Sequence, residues 1–324
     1  MKETTKRVTL VDISKKTGYS VNCVSRALMD ASDISASTKA KIKEVANELG
    51  YVQNLAAASL KNGNSKIIGI LYDNLLNPFY NTIVYYIDQT LKRMDYSFIT
   101  YQAEKLDEKI YKDIVSRNAE GILSFLTPDD SVIKHLKKFN FPFVVIGRHE
   151  ANMDGVTHVS LDNKKGGSLA AYALLERKCK NPAYFGEGKG LEISRERGEG
   201  FAKIFEEHNI SPIVIFRGED EDFSKITKNT LKENPKIDSI FCFSDLIAYE
   251  VLRELEKLNR QDIIVIGFDE IQKEMPMPIK IMTIGTDKSK FAKDAISLLF
   301  EQIQNKETKK GKKVVEDVYF VNKK

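Results

Sequence analysis

The chain has 324 residues, enough for two or three domains of ordinary size. Hydrophobic residues make up 42% and charged residues 30%, a globular balance that excludes a largely disordered chain, and no run of about 18 apolar residues offers a membrane span. The net charge of +4 sits at the front: residues 1–64 hold ten Lys/Arg against six Asp/Glu, and the remaining 260 residues hold 40 of each sign. A short basic head on a neutral body suits a polyanion. The opening MKETTKRVTLVD lacks the apolar stretch of a secretory signal. Three scattered cysteines, Cys23, Cys179 and Cys242, match neither a disulfide framework nor a zinc site. A reducing cytoplasm fits both.

The head reads as three short helices. Thr9 can cap a helix from Leu10, with Asp12 placed to reach back, and Gly18 is a left-handed stop. Ser20 caps a second helix from Val21 to about Leu28, joined to the first by Thr17-Gly18-Tyr19, a helix-turn-helix. A third helix follows Ser35, with Ile42, Val45 and Leu49 on one face and Gly50 at its end. Next, Asn54 can cap a helix from Leu55 to Lys61 that Gly63-Asn64 breaks. Seven residues fall short of the roughly 12–15 an isolated helix needs in water, so this segment forms only when something packs on it. That makes residues 54–64 a hinge and a candidate switch.

From Lys66 short β-branched runs alternate with amphipathic helices. The strands IIGILY (67–72), YSFITYQA (96–103), GILSFL (121–126), FPFVVIG (141–147) and HVSLD (158–162) are followed by a second series. That series is PAYFG (182–186) with a helix from Ser194, ISPIVIF (210–216) with a helix from Phe223, SIFCF (239–243) with a helix from Asp245, and DIIVIGFD (262–269). IKIMTI (279–284), a helix from Lys288 to Asn305 and a last strand VVEDVYFV (314–321) finish the body. Apolar strands with helical crossovers predict two similar parallel sheets covered on both faces.

Several stretches in fixed order now carry a family likeness: TLVDISKKTGYSVNCVSRAL (9–28), KIKEVANELGYVQN (41–54), AAASL (56–60), NPFY (77–80), LDNKKGGSLA (161–170), SRERGEGF (194–201), FSDLIA (243–248) and IGFDE (266–270). Together they resemble the LacI/GalR family of bacterial transcription regulators over nearly the whole length. The resemblance implies an α/β protein with an N-terminal three-helix helix-turn-helix headpiece and a two-lobed core like a periplasmic binding protein, with parallel sheets, assembled as a homodimer. The headpiece is residues 1–53, the hinge 54–64 and the effector-binding core 65–324. Within the core the N-lobe takes about 65–161 and 288–306, the C-lobe about 162–284 and 314–324.

A recognition helix puts its N-terminal side chains on major-groove base edges. Asn22 can pair bidentately with adenine, Arg26 with guanine, and Val21 can touch a thymine methyl. Ser20 and Ser25 suit phosphate oxygens, whereas Val24 and Leu28 read as core. By resemblance Leu60 wedges between base steps in the minor groove beside its dimer mate, and Thr9, Tyr51, Asn54 and Ala57 complete the DNA-binding candidates. The chain departs from the family at Cys23 (usually Thr), Met29 (Asn), Gln53 (Pro) and Ala58 (Arg).

Ligands of open α/β sheets bind beyond the strand carboxyl ends. The candidates there are Phe79, Tyr80, Arg197, Phe223, Ser244 and Asp269, positions that by resemblance line an effector pocket. A carboxylate and a guanidinium take vicinal hydroxyls, and aromatic rings cover the C–H face of a sugar. Asp162, in the crossover between lobes, is a further candidate, read first as a helix N-cap, and Asp245 reads as the cap of its own helix. The effector class is open between a sugar, a sugar phosphate and a nucleobase, with a sugar favoured by the family. His135, His149, His158 and His208 sit in no nucleophile elbow or metal motif, and EGKG (187–190) is not a phosphate loop. No enzyme activity, metal or cofactor is expected. The reading is a repressor of a carbohydrate operon, bound to double-stranded operator DNA and released by a small effector. A corepressor response or a solute-binding role are the competing readings, and no membrane partner is expected.

Overall fold

The structure, a computed structural model, describes residues 7–52, 64–74, 76–147, 153, 155–188, 190–218, 221–305 and 311–322. It divides into two compact units, residues 1–65 and 66–324.

The first unit holds α1 (Leu10–Thr17), α2 (Val21–Leu28) and α3 (Ala36–Glu48). The Asp12 carboxylate takes both the backbone N–H (2.8 Å) and the hydroxyl (2.7 Å) of Thr9, which fastens the start of α1. Gly18 ends it in the left-handed region at φ 79°. Ser20 accepts from Cys23 N (3.2 Å) and starts α2; Ser35 accepts from Thr38 N (3.2 Å) and starts α3. Ile13, Val24, Ala27, Ile42 and Ala46 form the buried core of this unit.

In the second unit β1 (Ile67–Tyr72), β2 (Ser97–Gln102), β3 (Gly121–Ser124), β4 (Phe143–Ile146) and β5 (Thr157–Leu161) alternate with α4 (Pro78–Arg93), α5 (Glu108–Ser116) and α6 (Asp130–Phe139). The chain then builds α7 (Asn163–Glu176), β6 (Pro182–Gly186), α8 (Glu192–Glu207), β7 (Ile213–Phe216), α9 (Phe223–Glu233), β8 (Ser239–Cys242), α10 (Asp245–Lys257), β9 (Ile264–Phe268) and β10 (Met282–Gly285). It ends with α11 (Lys288–Gln304), β11 (Lys313–Glu316) and β12 (Tyr319–Val321). The first sheet runs β11-β5-β4-β3-β1-β2 and is wholly parallel. The second runs β12-β10-β9-β8-β6-β7, with only β12 antiparallel.

Alternate residues of each strand enter different cores. Ile70, Leu123 and Val144 face one core of the first sheet while Leu71, Ile122 and Val145 face the other. In the second sheet Tyr184 and Phe241 oppose Phe185 and Cys242 in the same way. Burial on both faces is why these strands read as continuous apolar runs.

The chain passes between the sheets three times, at residues 161–163, 285–288 and 316–319. The crossings are bonded together: Asp162 N–H donates to the Glu316 carbonyl (2.9 Å) and Thr286 Oγ1 to the Asp317 carbonyl (3.0 Å). The stretch read as one last strand, 314–321, is therefore two strands in different sheets. The turn at Asp317 carries the chain across, and Glu316 and Asp317 are the polar break in that apolar run.

Helices α7 and α8 lie unusually close. A Cβ on Gly167 would stand 2.0 Å from the Arg197 carbonyl oxygen. Helix propensity alone makes a Gly→Ala change favourable by about 1 kcal/mol. Here the clash reverses the sign: Gly167→Ala is expected to lower stability by about 1–3 kcal/mol, read as a lower Tm. An unchanged or raised Tm counts against this packing.

Candidate functional site

A cleft of about 590 Å³ opens where the carboxyl ends of the two sheets face each other. Each sheet reverses its strand order there, around β1 in the first and β6 in the second, the place where open α/β sheets take ligands. Asp73, Asn77, Phe79 and Tyr80 line it after β1, Gly147 and Leu161 at the ends of β4 and β5. Glu187, Ile193 and Arg197 follow β6, Arg217 follows β7, Phe243 and Ser244 follow β8, and Asp269 ends β9.

Arg197 is only 4% exposed. Its Nε donates to Asn163 Oδ1 (3.0 Å) and its Nη1 to the Phe243 carbonyl. Its guanidinium carbon lies 3.4 Å from the Phe268 ring centroid and 4.5 Å from that of Phe243. Burial pushes the Arg197 pKa down while the charge of Asp269 holds it up. The two are not in ion-pair contact; they face the cleft as separate groups.

Asp269 is 8% exposed, and its carboxylate has no hydrogen bond from the protein among the described residues. Its φ is 112° and that of Glu270 is 49°, two successive left-handed residues, each costing of order 1–3 kcal/mol. A buried network over-determines this corner. Ile271 N–H donates to Asp245 Oδ2 (2.9 Å), Thr283 Oγ1 to Asp245 Oδ1 (2.5 Å) and Glu270 N–H to Thr283 Oγ1 (3.3 Å). From the other sheet's helix, Lys288, 1% exposed, donates to the Glu270 carbonyl (3.0 Å) and to Glu274 (2.9 Å).

Two expected roles change, those of Phe223 and Asp245, while Asp162 keeps its first reading as a helix cap and not as a cleft residue. Phe223 does not line the cleft: it opens α9 but stacks inward on Phe185, 6.5 Å between centroids, in the core of the second sheet. Phe243 supplies the aromatic face in that lobe instead. Asp162 is absent from the lining because its carboxylate is spent on Lys165 N (3.0 Å), capping α7. Asp245 is not the cap of α10; Ser244 accepts from Ile247 N (3.4 Å) and Asp245 turns into the corner network. Asn163, Asp245, Thr283 and Lys288 were missed as positioning residues. Their one local signal was Asn163, Asp245 and Lys288 standing beside helix starts, where a cap role is the simpler reading.

In the head, Val21, Asn22, Ser25 and Arg26 fall within an arc of about 140° on α2 at roughly 100° per residue. Val21, Asn22 and Arg26 are exposed, while Val24 and Ala27 on the opposite side are buried. Arg26 pairs with Asp33 (2.6 Å), whose carboxyl it holds below its ordinary range. Thr9 is exposed at the start of α1, and Tyr51 packs partly against the head core. Asn54, Ala57 and Leu60, with the helix expected over 55–61, lie outside the described residues, as does His149. Among the described residues no group of three or more His, Cys, Asp or Glu could hold a metal, and no helix is long and apolar enough to cross a membrane.

Residues 9–54 match the bacterial regulatory proteins of the lacI family, and residues 65–324 match the periplasmic binding proteins and sugar binding domain of LacI family. The chain belongs to the LacI family. Among family relatives it is 25% identical to the ribose operon repressor of Halalkalibacterium halodurans, over 92% of this chain and 91% of that one. It is 26% identical to the HTH-type transcriptional regulator MalR of Clostridium butyricum, over 90% and 92%. The fold matches that of the Lac repressor dimer bound to operator and an anti-inducer with a TM-score of 0.85 at 20% identity, covering 98% of this chain and 99% of that one.

Burial pushes the Asp269 pKa up from 3.8 to about 7, with Arg197 and then Lys288 pulling against it. A carboxyl raised in the folded state binds its proton more tightly there, so its stability contribution is full below pH 3.8 and is lost as pH rises through about 7. Asp269→Asn is thus expected to raise stability at pH 8, by up to about 4 kcal/mol, and to leave it little changed at pH 4. A Tm at pH 8 equal to or below wild type contradicts this placement.

Proposed function

We propose that this LacI-family chain is a homodimeric, sequence-specific repressor of a carbohydrate operon, held on double-stranded operator DNA and released by a sugar-like effector. The observation that carries the reading is the exposed arc of α2: a polar and cationic side-chain set displayed at the start of a helix whose other side is buried. Arg26 and Asn22 have the donor geometry to read guanine and adenine edges, Val21 offers an apolar contact to a thymine methyl, and Ser20 and Ser25 suit phosphates. Thr9, at the start of α1, and Tyr51, beyond α3, are further DNA-contact candidates with Asn54 and Ala57, and Leu60 is assigned to the minor groove by family resemblance alone.

In the core, Asp269 and Arg197 supply charged hydrogen-bonding groups, Ser244 a hydroxyl, and Phe79, Tyr80 and Phe243 the apolar faces for a sugar ring. An effector bridging the two sheets favours their closure. Operator release follows if the closed state disfavours the DNA-bound arrangement of the 54–64 hinge, a coupling of about 1–3 kcal/mol. A reducing, nucleoid-associated location inside a bacterial cell follows from the same reading.

The reading is tested by electrophoretic mobility shift with a duplex selected from a randomised pool by the purified chain. Wild type is expected to enrich a pseudo-palindrome, and Arg26→Ala to lose about 1–3 kcal/mol of discrimination at one base pair per half-site while keeping a folded core by circular dichroism. Failure of wild type to enrich any sequence, with and without added sugars, refutes the function. Unchanged discrimination by Arg26→Ala refutes the assignment of α2.

A further inference from the structure

Two carboxylates, Asp30 and Asp33, lie in the turn between α2 and α3. Beside a polyanion each is a cost, so what neutralises each matters. Asp30 is answered from α3: Lys43 Nζ reaches its two oxygens (2.7 and 2.8 Å), and Lys39 Nζ reaches its carbonyl (3.1 Å). Asp33 is answered from α2 itself. Its Oδ1 lies 2.6 Å from Nη2 of Arg26, the side chain assigned to a guanine edge. Arg26 holds the Asp33 carboxyl below its ordinary range, so the carboxylate stays charged at neutral pH.

The turn that presents Asp33 is anchored at both ends. Ala31 N–H donates to the Arg26 carbonyl (3.0 Å) and Ile34 N–H to the Ala31 carbonyl (3.3 Å), while Ile34 packs on the head core. The Ser35 cap of α3 follows at once. The Arg26 and Asp33 side chains are 45% and 51% exposed, and an ion pair in that much water adds little to stability. Its effect falls on Arg26. A free arginine samples many rotamers and reaches phosphates as readily as bases, whereas a guanidinium tied at one terminal nitrogen is biased to one direction. One carboxylate contact leaves others of its five N–H donors for a base edge.

We propose that Asp33 is a specificity-determining residue of the head: it pre-orients Arg26 for its base edge and withholds that charge from the phosphate backbone. Asp33 acts through Arg26, so it is a positioning residue. This rests on the reading of α2 as the helix that reads DNA. The pair has two effects. The ordering cost of Arg26 is met before a base is bound, which sharpens the choice at that base pair. The pair is also neutral, so the head meets any duplex with one cation fewer, which weakens sequence-independent binding.

The experiment is mobility shift of the full chain on the duplex enriched from the randomised pool, on its single-base-pair variants and on an unrelated duplex, at several salt concentrations. Asp33→Ala and Asp33→Asn are expected to lose roughly 2–10-fold in discrimination at the base pair that Arg26→Ala identifies, and at no other. Their binding to the unrelated duplex is expected to tighten, with a salt slope steeper by about 1. In an Arg26→Ala background, Asp33→Ala is expected to leave discrimination at that base pair unmoved. A merely structural loss weakens every duplex alike in both backgrounds, and that result overturns the proposal. Full discrimination by Asp33→Ala at the base pair that Arg26→Ala marks also overturns it and leaves the reading of α2 standing. Unchanged binding to the unrelated duplex overturns the withholding of charge. If Arg26→Ala marks no base pair, the reading of α2 fails, and the role of Asp33 falls with it.

Discussion

The core is organised around a buried guanidinium. Arg197 loses nearly all its water and gains no direct carboxylate, so its charge is held by dipoles and aromatic faces: Asn163 Oδ1, the Phe243 carbonyl and the rings of Phe243 and Phe268. Those partners come from α7, the end of β8 and β9, so satisfying one cation fixes three elements against α8. The close approach of α7 at Gly167 serves the same arrangement, because a wider spacing would carry Arg197 away from Asn163. A cation with dipolar rather than ionic partners leaves Asp269 able to face the cleft instead of neutralising it.

Asp269 shows the complementary solution. Its backbone is strained and its carboxylate is desolvated, and the cost is met by a network that reaches across the molecule. Asp245 and Thr283 hold the far side of the corner, and Lys288 holds the Glu270 carbonyl from the first residue of α11. Helix α11 packs on α4 and on β3, β4 and β5, so the corner that carries Asp269 is bonded to the opposite lobe. The tie between that corner and the first residue of α11 is thus a buried ammonium, not a solvent-screened surface charge. Asp245, whose pKa burial and the Asp269 charge both push well above its ordinary value, makes that corner sensitive to how much charge it stores.

Much of the fold was legible because its signals are local. The Thr9–Asp12 pairing, Gly18 and Ser20 announced the two head helices through caps that involve residues three positions apart. The alternation of β-branched runs and helices announced two parallel sheets, since strands buried on both faces leave an apolar signature. Errors arose where a polar residue next to a helix start could serve its own helix or something distant. Asp162 served its own helix, whereas Asp245 did not, and no local pattern separates the two.

The sequence by itself determined the order of elements, the helix-turn-helix head, the βα alternation, and the placement of Arg197 in the helix after β6 and of Asp269 at the end of β9. These depend on periodicity, capping and turn chemistry within a few residues. Only the tertiary structure decided that Phe243 and not Phe223 faces the cleft, that residues 313–321 divide between two sheets, and that Lys288 reaches the opposite lobe. Those outcomes depend on where a side chain points once distant segments have packed, and on which of several polar partners can be desolvated together. Neither is written in spacing along the chain.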